Sequence, residues 1–405
     1  MMDEEMMSAE IPTPPLSESP CLLNCRMELR SYPPVWRRLP NTSFGIGMGL
    51  AGQAILWRSV QDTQLFGASY DDLTGSVNFV FWASSLLISA LLLGCYVGKA
   101  IFYFPLVEDE IRDGSRVHFC NMPHLILAML NIGLPASVEG MSPTGRVVCY
   151  TISLIAQLYS TSYIYQSWLF SVDSNISCSK PQFLLSTVGW FILAALGSDL
   201  RIEEVWGLDL PNFCLSIGLM MYIMVAISIF NCIHANPRAK GSPALFLLVA
   251  PPAVGVGAWD SIERHMTAHL DTDASSTIVF AMGAQMLLGW CMGLVLLLLR
   301  VGPTILQRPP VLGAYWAYVF PLAALATATV RYASVNTSMA AMVLAVVFVI
   351  LSLLAVAIVL CRMLVHASWV LLRKAQWDDP LLSEDRLASV EAIAYKELLP
   401  LIETA

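Results

Sequence analysis

Phe320, Pro321 and Arg331 form the spacing with the most chemical content in this 405-residue chain. Pro321 has no backbone N–H and bends a helix, so it can aim the ring of the preceding Phe320 to one side. Across a narrow channel such a ring is a hydrophobic constriction that stops ions by bulk or by dewetting. Against a neighbouring helix it is ordinary packing, and these residues alone leave both readings open. Arg331 follows eleven residues later, about 16 Å along a helix at about 1.5 Å per residue, at the end of an apolar segment. A guanidinium there either raises the local anion concentration or anchors the helix at the interface. Arg116 and Lys180, at the starts of other apolar segments, carry the same two readings. Four hydroxyls, on Ser186, Thr187, Thr327 and Thr329, can offer weak hydrogen bonds to an anion. Weak binding suits conduction, because a tight site slows exit.

What the apolar segments lack is equally informative. No Asp or Glu lies deep inside any of them, and proton-coupled carriers need an ionisable relay at membrane depth. His118 and His124 have no GxSxG, HExxH or paired membrane Asp beside them, so an intramembrane enzyme is not expected, nor any cofactor. His265 and His269, spaced i, i+4 near Glu263, Asp271 and Asp273, could hold a divalent metal or sense pH. They read instead as part of a solvated, charged loop, and no metal site is expected. The net charge of −8 argues against nucleic acid as a partner.

These residues must be positioned by membrane helices. Only 13% of the chain is charged and 57% is hydrophobic, with a mean hydropathy of +0.65; a soluble domain carries about a quarter charged residues. Several apolar runs exceed the roughly 18 residues that span a bilayer. The expected fold class is an all-α polytopic membrane protein whose partner is the lipid bilayer. Ten spans are expected at roughly 41–58, 76–104, 117–137, 146–170, 182–200, 210–233, 243–262, 275–300, 312–331 and 337–366. Residues 1–40 read as a disordered tail and not as a cleaved signal. Residues 367–405 read as a second tail with a short amphipathic helix near 389–399. Thr13-Pro14 and Ser19-Pro20 in the first tail could accept phosphate from a kinase. Ten spans put both tails on one side, and 17 of the 22 Lys and Arg fall there, which places the tails in the cytoplasm. Cys95, Cys120, Cys149, Cys214, Cys232, Cys291 and Cys361 lie in or beside apolar segments and read as small hydrophobes rather than bridges.

The spans alternate in kind. The odd ones are short and hold the helix-weakening residues: Gly45, Gly47, Gly49 and Gly52; Pro123 and Pro135; Gly189 and Gly197; Pro251, Pro252, Gly255 and Gly257; Pro321. The even ones are longer and greasier. Kinked, Gly-rich helices are tolerated where neighbours or a cavity satisfy their backbone, whereas smooth apolar ones suit lipid. Five repeated hairpins are therefore expected, with the odd helices ringing a central gap. A gap through a membrane is a pore.

The run FGIGMGLAGQAILW from Phe44 to Trp57 resembles the opening helix of the slow-type anion channels of plant guard cells and of the bacterial tellurite-resistance protein TehA. Further matches follow in order: RVHF from Arg116, LSTVGWF ending at Phe191, LVAPPAV from Leu248, YWAYVFP ending at Pro321 and ATVRYA ending at Ala333. The same family includes fungal malate and sulfite transporters. The resemblance covers about 41–366 and implies ten helices in five hairpins. It also implies a homotrimer with one pore per subunit, in the plasma membrane, conducting small anions such as chloride or nitrate. It assigns the pore gate to Phe320, places a second pore-facing aromatic at Phe191 and puts a basic residue of the outer mouth at Arg331. A malate, C4-dicarboxylate or sulfite transporter of the same fold is the alternative it leaves.

Overall fold

The computed structural model describes residues 39–113, 116–138, 142–170, 180–200, 209–235, 243–269, 274–305, 316–336 and 338–377. Of the two expected tails, 1–38 and 378–405, including 389–399, Thr13 and Ser19, lie outside the described residues, while 367–377 continue the last helix beyond the expected end of the membrane domain at 366.

Every regular element described is helical. The α-helices are α1 (Phe44–Asp62), α2 (Asp71–Phe102), a short α3 (Phe104–Arg112), α4 (Met122–Ile132), α5 (Pro143–Phe170) and α6 (Leu184–Asp199). Then come α7 (Asp209–Ala235), α8 (Ala250–His269), α9 (Ala274–Ile305), α10 (Trp316–Val335) and α11 (Met339–Trp377). Among the described residues six helical segments are long and apolar enough to cross a membrane, and Val117–Ile132 and Gly283–Leu298 are shorter apolar helices. The protein is thus an all-α polytopic membrane protein.

Two populations of helices are visible in what each buries. In α1 the residues from Gly47 to Ala54 are all buried, and in α6 everything from Leu184 to Ser198 is. In α2 the buried residues are Thr74, Asn78, Ser85 and Lys99, all polar, while Leu86, Leu87, Leu91, Val97 and Ile101 are exposed. That pattern is inside out for water and correct for lipid. The buried helices contact one another in a cycle: α1 on α4, α4 on α6, α6 on α8, α8 on α10, and α10 back on α1. Each also packs against the helix that follows it on the exposed side, α2, α5, α7, α9 and α11 respectively.

Polar side chains of the outer helices serve the backbone of the inner ones. Asn78 Nδ2 donates to the carbonyls of Ala54 (2.7 Å) and Gly133 (3.1 Å). Trp82 Nε1 donates to Leu130 O (2.9 Å), Ser85 Oγ to Gly47 O (2.8 Å) and Gln157 Nε2 to Ser186 O (2.6 Å). Tyr222 Oη donates to Leu248 O (3.3 Å), the carbonyl that an α-helix would pair with the N–H that Pro252 lacks. In the same way Pro135 cannot serve Asn131 O, and Arg146 Nη2 donates to it instead (3.4 Å).

The prolines act differently from the expectation of kinks within helices. Pro123 sits in the first turn of α4, and Pro251 and Pro252 in that of α8, where the N–H is not needed. Four inner helices begin with a 3-10 lead-in, at Asn41–Ser43, Val117–Asn121, Pro181–Phe183 and Pro243–Val249. Pro321 lies inside α10, five residues after its start. One cysteine also departs from expectation: Cys232 is disulfide-bonded, whereas Cys95, Cys120, Cys149, Cys214, Cys291 and Cys361 are free thiols.

The close approach of α1 to α10 depends on glycine. A Cβ at Gly49 would stand 2.5 Å from Cε3 of the rigid Trp316 ring, whereas at Gly45 it would meet Trp316 Cβ at an ordinary 3.6 Å. Gly49→Ala should therefore cost about 1–3 kcal/mol through overpacking. Gly45→Ala should be neutral or stabilising, by up to about 1 kcal/mol of helix propensity. Melting curves of the detergent-solubilised protein check the contrast; equal curves for the two variants would contradict it.

Candidate functional site: an axial cavity with a cationic mouth

The inner cycle encloses a narrow cavity of about 50 Å3 to which all five helices contribute. Its wall is Gly52 and Ile55 from α1, Met129 and Ile132 from α4, Ile192 and Ala195 from α6, Ala253, Val254 and Gly257 from α8, and Phe320, Ala324, Thr327 and Arg331 from α10. Thr327 and Arg331 are its polar members. The α10 residues are spaced 4, 3 and 4 apart, a single stripe of one helix face. Phe320 is 4% exposed and its ring lies against Gly52, where a Cβ would meet Phe320 Cδ2 at 3.3 Å. Pro321 follows inside the helix.

Ile55, Ile132 and Arg331 also line a wider cavity of about 500 Å3. This vestibule carries four arginines, Arg58, Arg146, Arg264 and Arg331, with Asp62, Asp199 and Asn131. A side cavity of about 510 Å3 adds Asp260 and Glu263 around Arg331 and Arg264. The arginines are oriented. Arg58 pairs with Asp62 (3.1 Å), and Arg146 Nε donates to Asn131 Oδ1 (2.8 Å). Arg331 Nη1 donates to Asp260 Oδ2 (2.8 Å) and to Ser261 Oγ (3.3 Å), and its Nε to Ser59 Oγ (3.4 Å). Arg264 Nη2 reaches the same Asp260 oxygen at 2.9 Å.

The residues expected from sequence divide accordingly. Phe320, Thr327 and Arg331 line the narrow cavity. Phe191 does not: its ring stands about 3.3 Å from where a Cβ would lie on Gly218 of α7 and on Gly255 of α8. The α6 stripe on the cavity runs through Ile192 and Ala195, and Phe191 is turned about 100° from Ile192 around the helix. Ser186, Thr187 and Thr329 are fully buried outside that wall. Each of the four hydroxyls donates its one proton to a carbonyl of its own helix, at Phe183, Leu184, Ala323 and Ala326. Their only donor is engaged there, which removes the expected contribution to anion binding in this arrangement. Arg116 pairs with Asp113 (3.3 Å) and is half exposed. Arg116 and Lys180 stand at the starts of the α4 and α6 segments, at the end away from the vestibule, and neither lines these cavities. Arg58, Arg146, Arg264 and Asp260 were not singled out from the sequence. The available signal was that Arg58, Arg146, Arg264 and Arg331 are four of the five basic residues that the ten-span count assigns to the side opposite the termini. The fifth, Arg201, lies outside the described residues, as do the side chains of His265 and His269.

Fold and cavity together define a polytopic helical membrane protein with an axial cavity lined in part by an aromatic ring and headed by arginines. A family model described as voltage-dependent anion channel matches residues 38–364, and the chain belongs to that family. It is 29% identical over 338 residues to the S-type anion channel SLAH2 of Arabidopsis thaliana, a match covering 82% of this chain and 60% of the relative. To the guard cell S-type anion channel SLAC1 of the same plant it is 24% identical, covering 82% of this chain and 57% of the relative. The tellurite resistance protein TehA homolog of Haemophilus influenzae is 24% identical over 314 residues, covering 76% of this chain and 86% of that protein. The chain thus spans about three-fifths of the length of those two plant relatives. The plant relatives are named as channels, not enzymes.

The cavities make a prediction that needs no assay of transport. Leu200→Cys, in the vestibule wall, should react with a water-soluble thiol reagent in the detergent-solubilised protein. Ala328→Cys, wholly buried on α10 and outside the cavity walls, should resist it. Equal labelling would show that the vestibule is not open to solvent.

Proposed function

We propose that this chain is an anion-selective channel passing small inorganic anions such as chloride or nitrate. The observation that carries the reading is the narrow cavity itself. All five inner helices line it, the Phe320 ring forms part of its wall and four arginines surround its wider mouth. On this reading ten segments cross the membrane in five hairpins over 41–366, and the inner cycle is the wall of a pore within each subunit. Phe320 is the gate, aimed by Pro321, and Arg331 is the charge of the outer mouth. Phe191 supports the gate region by packing. The apolar faces of α2, α5, α7, α9 and α11 meet lipid or sister subunits of a homotrimer in the plasma membrane. The tails 1–40 and 367–405 lie in the cytoplasm, where a kinase could reach Thr13 or Ser19. The names of the plant relatives and the match of the family model support the same reading. For a malate or sulfite carrier of the same fold, flux would saturate without single-channel steps, and reversal potentials in mixed chloride, nitrate and malate separate the two.

Three outcomes test the proposal. A packed core Phe cut to Ala costs about 3–5 kcal/mol and expression; a gate cut to Ala opens. Phe320→Ala is expected to reach the membrane and carry a larger resting anion current than wild type, and poor yield without added current would return Phe320 to packing. Arg331→Ala is expected to lower conductance, more at 10 mM salt, where fields reach about 30 Å, than at 100 mM, where they reach about 10 Å. A salt-independent effect would count against a mouth charge. For orientation, a cysteine at Thr272 should be labelled from outside the cell and one at Ala239 should not; the reverse pattern would overturn the ten-crossing topology.

A further inference from the structure

We infer that Asp260 is a tethered anion at the pore mouth, competing with the permeating anion for Arg331 and thereby setting how strongly the mouth binds. The inference rests on the channel reading above and adds a residue that decides anion affinity. Arg331 lines the constriction, the vestibule and the side cavity at once, so any ion moving between them passes its guanidinium. That group is held from two other helices: Ser59 on α1 takes Nε, and Asp260 and Ser261 on α8 take Nη1. Among the described residues none bonds to Nη2, which leaves one edge of the fork for an arriving anion. Asp260 sits at 2.8 Å with only 14% of its side chain exposed, and Arg331 with 13%. Water therefore screens the pair weakly. To an approaching anion the pair presents a dipole rather than a full positive charge. Arg264 draws on the same carboxylate oxygen at 2.9 Å, so the carboxylate is shared between two guanidiniums and its hold on Arg331 is weakened. The mouth is thereby set to bind anions without trapping them, as conduction requires.

A purely structural role is the competing explanation: a carboxylate that lets an arginine be buried, whose loss would leave an uncompensated charge. The two roles separate in the full-length protein carrying Asp260→Asn, whose amide oxygen can still accept from Arg331 Nη1. Competition predicts that the half-saturating external nitrate concentration for current falls about tenfold, the scale of one charge-assisted hydrogen bond. The same leftward shift is expected in the nitrate dependence of the melting temperature of purified protein, a readout that needs no current. Asp260→Asn combined with Arg331→Gln should abolish the gain, since the effect acts through Arg331. An unchanged or raised half-saturating concentration in both readouts overturns the inference, as does an equal shift in the double variant. Asp260→Ser serves as a second neutral variant, and failure of both neutral variants to accumulate assigns Asp260 to structure and overturns it too. Absence of anion current from wild type and from Phe320→Ala would overturn the channel reading, while the nitrate-dependent melting shift would still report on Asp260.

Discussion

In hydrocarbon there is no water to take up a carbonyl that a helix leaves unpaired, and each such group costs several kcal/mol. The arrangement of this protein follows from that constraint. Four of its inner helices begin in 3-10 turns, and prolines stand at both ends of α4 and in the first turn of α8, so carbonyls at Leu130, Asn131, Gly133 and Leu248 need other partners. Each of these is met by a side chain from another segment: Trp82, Arg146, Asn78 and Tyr222. The outer helices are therefore more than a greasy sleeve. Their buried polar residues are the hydrogen-bond partners that permit irregular backbone beside the axis, and their outward faces are apolar because lipid asks nothing else of them.

Small residues complete the same logic on the inner side. Gly49 admits the Trp316 ring and Gly52 admits Phe320, so α1 and α10 approach closely enough for an axial cavity to remain narrow. Gly52 makes room for the ring that precedes Pro321 in α10. At the mouth the constraint reappears as charge. Arg331 can sit mostly buried because Asp260 and two serines receive its protons, and Arg58 and Arg146 are held by Asp62 and Asn131.

Much of this was legible in the sequence, for identifiable reasons. The alternation of weak and greasy helices is a compositional signal, and the burial of α1 and α6 against the exposure of α2 follows it. Phe320 and Arg331 share a face by spacing alone, which is why both fall on the cavity. Phe191 was misplaced because a motif match fixes position along a helix but not rotation about it, and one residue is about 100°. The hydroxyls misled because Ser and Thr in helices bond back three or four residues, a competition that composition does not reveal. The gathering of Arg58, Arg146, Arg264 and Arg331 was legible only as a shared side of the membrane, and Asp260 not at all. The arginines come from α1, α5, α8 and α10, distant in sequence, and only the packing of these helices brings them to one vestibule, with Asp260 in the adjoining side cavity.

The narrow segment and its mouth must do different work on the proposed reading, because their donors differ. Between Phe320 and Arg331 the wall holds Ala, Gly, Ile, Met and Val, and a Thr327 whose proton is already given to Ala323. Helical N–H groups face along the helix axis and are mostly taken by the helix itself. An anion entering this segment gives up water and gains little in exchange, so the segment is a barrier rather than a binding site. Removing or turning the phenyl ring lowers that barrier by admitting water with the ion. The guanidinium can lower only the energy of entry, within its screened reach. Throughput would then depend on two separable quantities, the width left by Phe320 and the share of the Arg331 charge that Asp260 leaves uncancelled.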